Sequence, residues 1–460
     1  MSTNTITLDQ IPDLFSYVVT RKEYFGGLLF STYQQVPITL NEIDFYIIEQ
    51  CNGINTVSEI IDLTVEKFSL PIEFIDSVVI KTLEKLNSLF AIRWRTKKLS
   101  KPKNKIQVLP KQTENQILSA PLDVIWDITY RCNLKCRHCL VSSDERKYDE
   151  LSLKEVKEII DQLAEMKVFN ISFLGGEPLM RKDFLEILDY AAQKNIAVTF
   201  STNGVLVNDQ LISKMKKINI FSAQVSLDGL RETHNKIRGL KIAYQTATEA
   251  IKRLKKAGIR VHVSMTVNKL NLHEVKPLIE EMITLGVFAF KAIPFLPIGY
   301  GKESSSLMLT KEEMKEYVTS LVKYREEFKD QIHISAEETY AWLVDGTIPE
   351  SSTPKEQDVN FPCEAGAQTI VLSPTGLVFP CPFLHDFVAG DLKKETMREI
   401  WYKSEILGKF RNINRSRLKG KCKDCKFIPE YCKGGCRAAA YHLTGDFYAE
   451  DPVCWYESEN

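Results

Sequence analysis

The chain has 460 residues, 44% of them hydrophobic and 26% charged, a composition typical of a soluble globular protein with roughly two to four domains. Lysine plus arginine equals aspartate plus glutamate at 60 each, which argues against a nucleic-acid partner bound through bulk positive charge. No apolar run reaches the length of a membrane span, and the first residues lack the basic-then-apolar pattern of a signal peptide. We therefore expect a cytoplasmic protein without a membrane partner.

The first segment, residues 1–95, begins with β-rich stretches and continues with helix signals. Strands are predicted at residues 15–20, 26–31 and 33–38. Helices are predicted to begin after Thr39 with Asn41 as N-cap, near Thr56 and near Pro71. Three strands followed by three helices resemble a winged helix-turn-helix domain, in particular the peptide-chaperone domain of pyrroloquinoline quinone biosynthesis, the RiPP recognition element. (RiPPs are ribosomally made, post-translationally modified peptides.) The resemblance implies that a leader peptide adds beside the third strand and packs against the third helix.

Two other interpretations of residues 1–95 stay open, namely DNA binding and a purely structural cap. The predicted third helix, residues 72–87, mixes acidic residues with lysines, which makes a poor surface for phosphates. Cys51 is predicted to be a small buried hydrophobe at a helix end. Residues 96–119 are polar and basic with two prolines, as expected of a linker.

Cys132, Cys136 and Cys139 form a dense motif with the spacing Cys-x3-Cys-x2-Cys. The motif follows the apolar stretch 124–129, so it is expected in a loop at the C-terminal end of a strand, where α/β barrels carry their chemistry. Zinc sites usually need four ligands, and no fourth cysteine is close in the sequence. Three thiolates suit a 4Fe–4S cluster with one open iron. A structural zinc loop and redox-active thiols are the alternatives.

This cysteine loop resembles the cluster-binding motif of the radical S-adenosylmethionine (SAM) enzymes. The resemblance implies that the amino and carboxylate groups of SAM chelate the open iron. It also implies that an electron from the cluster cleaves SAM to a 5′-deoxyadenosyl radical. Cys132, Cys136 and Cys139 would then be both metal ligands and the catalytic centre.

Strand and helix patterns alternate through residues 120–310. Strands are predicted at residues 124–129, 169–174, 197–201, 221–227, 260–267 and 288–293. Capping boxes are predicted for Ser152 with Glu155, Asn271 with Glu274, and Thr310 with Glu313. Six β/α units imply parallel strands with helices outside, an α/β fold that matches the partial six-stranded (β/α)6 barrel of radical SAM enzymes. Residues 311–355 are predicted to form a bridging helix and a loop.

Further motifs follow the second, third and fourth of these strands. Gly175, Gly176, Glu177 and Pro178 resemble the family motif that binds the amino group of SAM; the glycines allow close backbone approach, and Glu177 offers an acceptor. Ser201 and Asn203 resemble the ribose-hydroxyl motif, Ser226 follows the fourth strand, and Arg238 is expected to meet the SAM carboxylate. Asp228 and His234 are acid–base candidates, although a supporting polar role is favoured.

Seven further cysteines lie in residues 356–460, with the central spacing Cys-x2-Cys-x6-Cys-x3-Cys. The pattern resembles the SPASM domain, which holds two auxiliary iron–sulfur clusters. The resemblance assigns an outer cluster to Cys422, Cys425, Cys432 and Cys454, and an inner cluster to Cys363, Cys381 and Cys436. Fully ligated relatives have one more inner cysteine. The fourth inner site is therefore open or held by another ligand, or the centre is a 2Fe–2S cluster. On spacing alone, structural zinc is the alternative.

Together the resemblances imply a radical SAM/SPASM maturase with a precursor peptide as partner, its leader on residues 1–95 and its core in the barrel. A flavodoxin- or ferredoxin-type protein is the expected electron donor. A thioether crosslink is the favoured product, because an open inner-cluster iron could bind a substrate thiolate. Carbon–carbon crosslinking, decarboxylation and epimerisation are the alternatives for a peptide substrate. A porphyrin, a protein serine or a protein cysteine as substrate, and an iron–sulfur or zinc regulator on DNA, are the remaining alternatives.

Overall fold

The computed structural model describes residues 6–31, 37–101, 117–143, 149–336, 338–344, 360 and 362–457. It divides into two compact units. The first unit comprises Met1–Ala120 with Glu165–Phe169, and the second comprises Pro121–Ala164 with Asn170–Asn460. Within the described ranges, no helix combines the length and the apolar character needed to cross a membrane.

The first unit combines two small antiparallel sheets with a group of helices. One sheet pairs β1 (Ile11–Leu14) with β5 (Ile92–Arg95), and the other has the order β2 (Val18–Glu23), β3 (Gly26–Ser31), β4 (Ile38–Leu40). The helices are α1 (Glu42–Gln50), α2 (Val57–Phe68) and α3 (Ile72–Ser88).

Local side-chain bonds explain where these helices begin. The Asn41 side chain accepts the Asp44 N–H at 2.8 Å, and Thr56 forms a reciprocal capping box with Glu59. Helix α1 lies so close to β3 that a Cβ at Gly27 would stand 2.0 Å from the Phe45 ring. The predicted helix starts at Asn41, Thr56 and Pro71 are confirmed.

The strands of the first unit differ from the prediction at three places. The strand predicted at 15–20 begins at Val18 instead. The Val18 N–H donates to the Phe15 carbonyl at 3.0 Å, so the backbone turns between these residues before the strand begins. The strand predicted at 33–38 lies outside the described residues except at its end, and β1 and β5 were not predicted. Cys51 is fully buried, as predicted.

The second unit is built on one wide sheet whose strand order is β12-β11-β10-β9-β8-β7-β6-β13-β14-β15. Neighbours from β12 to β13 are parallel, and β14 and β15 are antiparallel. The strands are β6 (Asp123–Thr129), β7 (Asn170–Gly175), β8 (Ala197–Thr202), β9 (Ser222–Ser226), β10 (Val261–Val267), β11 (Ala289–Pro294), β12 (His333–Ala336), β13 (Thr369–Leu372), β14 (Leu377–Phe379) and β15 (Gly390–Asp391).

Helices follow most of the parallel strands, and more of them lie in the C-terminal region. They are α4 (Leu153–Glu165), α5 (Phe184–Gln193), α6 (Asp209–Met215), α7 (Arg231–Arg238), α8 (Ala243–Lys256), α9 (Val275–Thr284), α10 (Lys311–Glu327), α11 (Glu364–Ala367), α12 (Met397–Lys403), α13 (Glu405–Arg411) and α14 (Arg437–Thr444).

An aromatic row marks the core between the sheet and its helices. Trp126 of β6 stacks on Phe173 of β7 at 6.0 Å, and Phe173 meets Phe184 of α5 edge-on at 5.9 Å. Phe184 in turn meets Phe200 of β8 at 6.0 Å. Because side chains alternate along a strand, the neighbours of Trp126 on β6, Ile125 and Asp127, face the other side of the sheet.

The parallel sheet predicted for residues 120–310 is confirmed, and each of its predicted strands ends within about one residue of the observed one. The loop predicted after the bridging helix is wrong for His333–Ala336, which pairs with Ala289–Ala292 as β12. The capping box at Asn271 is also wrong, because its side-chain oxygen accepts the Asn268 N–H at 2.7 Å instead of an N–H of the helix. The boxes at Ser152 and Thr310 are confirmed.

Candidate active site

The cysteine loop leaves the C-terminal end of β6 and folds back on itself. The Thr129 hydroxyl, in the last residue of the strand, donates to Glu150 at 2.5 Å and accepts the Arg131 N–H at 3.1 Å. Further along, the Cys139 N–H donates to the Cys136 carbonyl at 3.2 Å. Both turns keep the loop compact over the strand end.

Each thiol of the loop accepts an N–H from a different part of the chain. Asn203 Nδ2 donates to Cys132 Sγ at 4.0 Å, and Arg238 Nη1 donates to Cys136 Sγ at 3.8 Å. The Ser143 N–H donates to Cys139 Sγ at 3.4 Å. Hydrogen bonds to sulfur tune the reduction potential of an iron–sulfur cluster, so these donors suit thiolates that hold one.

Burial keeps the Cys132 and Cys136 thiols protonated in the absence of a cation. It raises the pKa of Cys132 to about 12 and raises the pKa of Cys136, although Arg238 opposes the shift at Cys136. Iron binding must therefore release protons from the loop, which makes cluster uptake dependent on pH.

The glycine turn after β7 packs directly against the cysteine loop. A Cβ at Gly175, whose φ is +129°, would lie 2.2 Å from the Thr129 carbonyl oxygen. A Cβ at Gly176 would lie 2.2 Å from the Arg131 carbonyl oxygen. No larger residue fits here, so the glycines set the distance between the turn and the loop that carries the thiols.

Glu177 is occupied by the protein itself. Its carboxylate accepts the Thr202 hydroxyl at 2.9 Å, the Asn203 N–H at 2.8 Å and the Leu179 N–H at 3.3 Å. Burial nevertheless raises its pKa to about 7. The carboxylate thus ties the end of β8 to the glycine turn, and neither Glu177 nor Pro178 is among the described residues that line the adjacent cavity.

Ser201, Asn203 and Ser226 lie at the ends of β8 and β9 and all border the same cavity as the cysteine loop. Asn203 holds two elements together, because its amide donates to Asn133 Oδ1 at 2.8 Å and its oxygen accepts the Val205 N–H at 3.0 Å. Ser201 Oγ accepts the Gln224 amide at 2.8 Å.

Arg238, at the end of α7, forms a buried ion pair that was not predicted. Its Nε lies 2.6 Å from Asp228 Oδ2, and the Asp228 side chain is fully buried. Burial raises the pKa of the Asp228 carboxyl, but Arg238, His138 and His234 outweigh burial and hold the pKa below its usual range. Arg238 therefore faces Cys136 with its charge already paired.

The two histidines beside this pair are neutral near pH 7. Burial lowers the pKa of His138 to about 4 and that of His234 to about 3. His234 Nδ1 accepts the Asp228 N–H at 2.9 Å, and Asp228 Oδ1 accepts the Thr266 N–H at 3.0 Å. Asp228 and His234 are therefore held by bonds within the protein, and neither is among the described residues that border the cavity, so their supporting role stays a prediction.

A cavity of about 260 Å³ unites most of the predicted site residues. It is bordered by the three cysteines of the loop, Gly175, Gly176, Ser201, Asn203, Ser226 and Arg238. Sequence analysis missed a second group, which consists of Asp127, Gln224, Ser264, Thr266, Pro382 and Phe383. Strand alternation could have found the polar members, because they occupy every second position of β6, β9 and β10.

The outer set of C-terminal cysteines surrounds one small space. Cys422, Cys425, Cys432 and Cys454 border a cavity of about 20 Å³ together with aromatic residues such as Tyr340 and Trp342. Burial raises the pKa of Cys432 to about 12 and that of Cys454 to about 11. The structure therefore brings together the four cysteines that were grouped from the sequence.

The inner set of C-terminal cysteines packs against one hydrophobic cluster. Cys363, Cys381 and Cys436 all contact a core that includes Phe410 and Leu418. The Cys436 N–H donates to the buried Asp451 carboxylate at 2.6 Å, which Tyr340 also contacts. No disulfide joins any of the eleven cysteines, all of which lie in the described part of the chain.

These surroundings fit iron–sulfur clusters better than single ions. Within the described ranges, no three cysteine, histidine, aspartate or glutamate side chains are close enough to hold one metal ion. In a cluster each thiolate binds a different iron, so cluster ligands stand further apart. The buried thiols, their N–H donors and the adjoining cavity provide what a cluster with an open position needs.

Parallel α/β enzymes bind their ligands at the carboxyl ends of the strands, and both the thiols and the cavity lie there in this chain. The fold and the cavity therefore define an α/β enzyme with a thiol-rich active site. Two family models match the chain, the radical SAM superfamily at residues 126–282 and the SPASM iron–sulfur cluster-binding domain at residues 363–426.

Relatives of known name extend the match. The AdoMet-dependent heme synthase of Methanosarcina barkeri is 31% identical over 346 residues, which are 74% of this chain and 97% of that protein. Mycofactocin maturase MftC of Mycolicibacterium smegmatis is 30% identical over 370 residues, 76% of this chain and 87% of MftC. The chain belongs to the radical SAM enzyme superfamily. Its cofactors are a 4Fe–4S cluster, SAM and auxiliary iron–sulfur clusters.

Solved structures share the fold at low sequence identity. Streptococcus suis SuiB bound to its precursor peptide SuiA has a TM-score of 0.73 at 18% identity, over 97% of this chain and 100% of SuiB. The enzyme anSMEcpe with bound AdoMet has a TM-score of 0.58 at 22% identity, over 73% of this chain and 94% of anSMEcpe.

Proposed function

We propose that this enzyme is a maturase that installs a thioether crosslink, between a cysteine sulfur and a carbon of an acceptor residue, in a ribosomally made precursor peptide. The observation that carries the proposal is the free edge of β4. Among the described residues, β4 has β3 as its single neighbour in the sheet β2-β3-β4. An extended peptide can add to such an edge through backbone hydrogen bonds.

Exposed apolar side chains in the same unit support peptide binding. Ile72 and Phe74, in the first turn of α3, are each 52% exposed, and large apolar residues left in solvent mark binding surfaces. The likeness to SuiB covers 97% of this chain and so includes most of the first unit, and SuiB was solved with a precursor peptide. We assign residues 1–95 as a winged-helix-like RiPP recognition element that binds the leader.

The remaining segments follow from this assignment. Residues 96–119 are the linker, and residues 120–310 are the partial six-stranded barrel, formed by β6 to β11, in which the core peptide binds. Residues 311–355 bridge to the SPASM domain at residues 356–460. A leader held on the first unit raises the effective concentration of the core at the barrel, because both belong to one peptide.

We assign the cofactor contacts to the residues that border the barrel cavity. Cys132, Cys136 and Cys139 hold the 4Fe–4S cluster. Of the other bordering residues, we assign Gly175 and Gly176 to the SAM amino group, Ser201 and Asn203 to its ribose, Arg238 to its carboxylate, and Ser226 to SAM binding without a named group. Glu177 and Pro178 complete the amino-group motif, although they do not border the cavity. Glu177 acts from behind the turn, because its carboxylate already accepts three hydrogen bonds.

When bound, the reduced cluster and SAM supply a carbon-centred radical that removes a hydrogen atom from the substrate. The chain's own contribution is position and exclusion of water. Phe295, Leu296 and Phe383 border the cavity together with the polar residues on β8 to β10, and these apolar side chains limit the access of water to the reacting carbon. Holding that carbon in reach of the radical is the larger part of the rate enhancement.

The choice of a thioether rests on the inner cysteine set. Cys363, Cys381 and Cys436 supply three thiolates, and the segment Glu364–Ala367 that follows Cys363 contains no cysteine. A fourth position on the inner cluster would be open to the sulfur of the substrate cysteine. Cys422, Cys425, Cys432 and Cys454 would hold the outer cluster, which would supply a route for the electron released during coupling. A flavodoxin- or ferredoxin-type protein is the proposed electron donor.

Anaerobic mass spectrometry tests the proposal directly. Reconstituted enzyme is mixed with SAM, a reductant and the short cysteine-containing peptide encoded beside the gene. We expect the peptide to lose two hydrogens and its cysteines to resist alkylation. Loss of two hydrogens with free cysteines would replace the thioether by a carbon–carbon bond. SAM cleavage with an unchanged peptide mass, and no deuterium uptake from solvent, would contradict a peptide substrate.

A porphyrin is the second candidate substrate, favoured by the 31% identity to the heme synthase of Methanosarcina barkeri. That match covers 74% of this chain. The unmatched part is about as long as the first unit. Incubation with iron coproporphyrin in place of the peptide separates the two candidates. We expect SAM cleavage without any change in the mass of the porphyrin.

A further inference from the structure

Asp127 is a buried carboxylate in the barrel cavity that none of the proposed cofactor contacts uses. On β6, Ile125 and Asp127 border the cavity, whereas Trp126 and Ile128 are fully buried on the opposite face. Asp127 pairs across the sheet with Leu174, the residue before Gly175. Its carboxylate therefore lies at the level of the glycine turn, below the cysteine loop.

Asp127 differs from the other buried acids of the site in having no partner. Glu177 accepts three hydrogen bonds, and Asp228 is paired with Arg238. Among the described residues, none donates a hydrogen bond or forms an ion pair with Asp127, and burial is the sole influence on its pKa. A buried carboxyl without a partner costs stability, which a group bound in the cavity can offset.

The residues that border the cavity limit which roles the Asp127 carboxylate can have. Asp127 is the one carboxylate among the described residues that border the cavity. Arg238 is the one guanidinium there, and its charge is already paired with Asp228 at 2.6 Å. Among the described residues, the cavity thus offers a bound molecule one carboxylate, Asp127, as an acceptor of a proton or a hydrogen bond.

We propose that Asp127 is a catalytic residue that accepts the proton released when the substrate radical couples to its partner atom. This role rests on the proposed function. For a thioether, the acceptor C–H and the cysteine S–H bonds break and a C–S bond forms. The carbon loses a hydrogen atom to the SAM-derived radical, and the thiol loses its proton to Asp127. One electron leaves to an auxiliary cluster, so SAM is the net oxidant.

The acid strength of Asp127 suits this task. Burial raises its pKa to about 7, and a proton acceptor is most useful when its pKa lies near the working pH. The other titratable groups that border the cavity are His138, Arg238 and the three cysteines of the loop.

The test compares Asp127→Asn with Asp127→Glu in reconstituted enzyme. Asparagine preserves shape but cannot take the proton, whereas glutamate can. With a peptide deuterated at the acceptor carbon, we expect Asp127→Asn to transfer deuterium into 5′-deoxyadenosine within about threefold of the wild-type rate, while crosslinked product falls roughly 100-fold. Glutamate should restore product at least tenfold over asparagine. Asp123→Asn, four residues earlier on β6, is the matched control and should behave as wild type.

Two further readouts separate this role from others. Peptide affinity, measured by fluorescence anisotropy without SAM, should change less than about threefold in Asp127→Asn, since the charge acts during coupling. Iron content and thermal unfolding report whether the variant folds. Wild-type product formation by Asp127→Asn would overturn the proposal, as would loss of deuterium transfer in a folded, iron-loaded variant. If the wild-type enzyme itself leaves the peptide unchanged, that result contradicts the proposed function. The role of Asp127 rests on that function and is then contradicted as well.

Discussion

The two cysteine-bearing regions of the second unit have opposite surroundings. The barrel thiols border a cavity of about 260 Å³ with polar groups such as Gln224 and Thr266 on one wall. The outer C-terminal thiols border about 20 Å³ among Tyr340, Trp342 and Tyr456. A substrate needs the room and the polar contacts of the first region. The second is closed by aromatic side chains, which suits a centre that exchanges only electrons.

The largest expected effect distinguishes the barrel cysteines from the outer C-terminal cysteines by the reaction that each set supports. Cys136→Ala should abolish both SAM cleavage and peptide product, because the barrel cluster loses a ligand. Cys425→Ala should keep SAM cleavage and lose the product, because only the outer cluster is affected. Chromatography of 5′-deoxyadenosine and peptide mass, with iron counted per chain, measure both. Equal loss of SAM cleavage in the two variants would remove the functional distinction.

The unpartnered carboxylate of the barrel should make stability depend on pH. The pKa of Asp127 is raised by burial from 3.8 to about 7, so the folded state holds a proton that the unfolded state has lost between these values. Stability therefore falls as pH rises from about 4 to 7, by roughly 4 kcal/mol at most. Asp127→Asn lacks this loss, so its Tm should exceed that of wild type at pH 8 and converge with it at pH 4.

The C-terminal region provides the contrast for this prediction. Its buried carboxylate, Asp451, accepts the Cys436 N–H at 2.6 Å and the Val453 N–H at 3.1 Å. Burial raises the pKa of Asp451 too, but hydrogen bonds from Tyr340, Cys436 and Val453 oppose the shift. Replacing Asp451 by Asn weakens these bonds, so the variant should be less stable than wild type. If the Tm values of wild type and Asp127→Asn change in parallel between pH 4 and pH 8, the raised pKa of Asp127 is contradicted.

A smaller loss of unfolding free energy is expected when the ion pair beside the barrel thiols is broken. Asp228→Asn leaves the Arg238 guanidinium buried without a counter-charge, which should cost about 3 kcal/mol in urea unfolding. Asp161→Asn is the matched control, because Asp161 pairs with Lys194 at 2.5 Å and both side chains are exposed, at 49% and 36%. That control should cost less than about 1 kcal/mol. Similar losses in both variants would argue against a burial effect.

The smallest predicted effect compares helix caps in the two regions. Ser152 caps α4 next to the barrel, and Thr396 caps α12 in the C-terminal region, each in a reciprocal box with a glutamate. Replacing either by alanine should cost about 1 kcal/mol of unfolding free energy. Glycine at the same positions should cost less, which distinguishes the cap from general loss of packing.

Much of the barrel could be predicted because its signals are local. The strand at 124–129 is apolar and β-branched, and the cysteine loop and the glycine turn follow their strands directly. The same local signals identified the caps at Asn41, Thr56 and Thr310. These features depend on neighbours within a few residues, so sequence alone is sufficient for them.

What could not be predicted depends on contacts between distant residues. Strand β12 has the weak sequence His-Ile-Ser-Ala and is a strand because it pairs with β11, 44 residues earlier in register. Strand β1 contains Pro12 and exists through its pairing with β5. The pairing of Arg238 with Asp228 and the isolation of Asp127 are likewise set by which side chains the fold brings together.

The segment from Cys381 to Phe383 joins the inner cysteine set to the wall of the barrel cavity. Phe383 borders the cavity two residues after Cys381, and its carbonyl lies 2.6 Å from His442 Nε2 on α14, the helix that Cys436 caps. If the inner set binds iron as proposed, the binding would also fix Phe383 in the wall of the cavity. Loading of the metal centre and shielding of the reacting carbon would then be completed together.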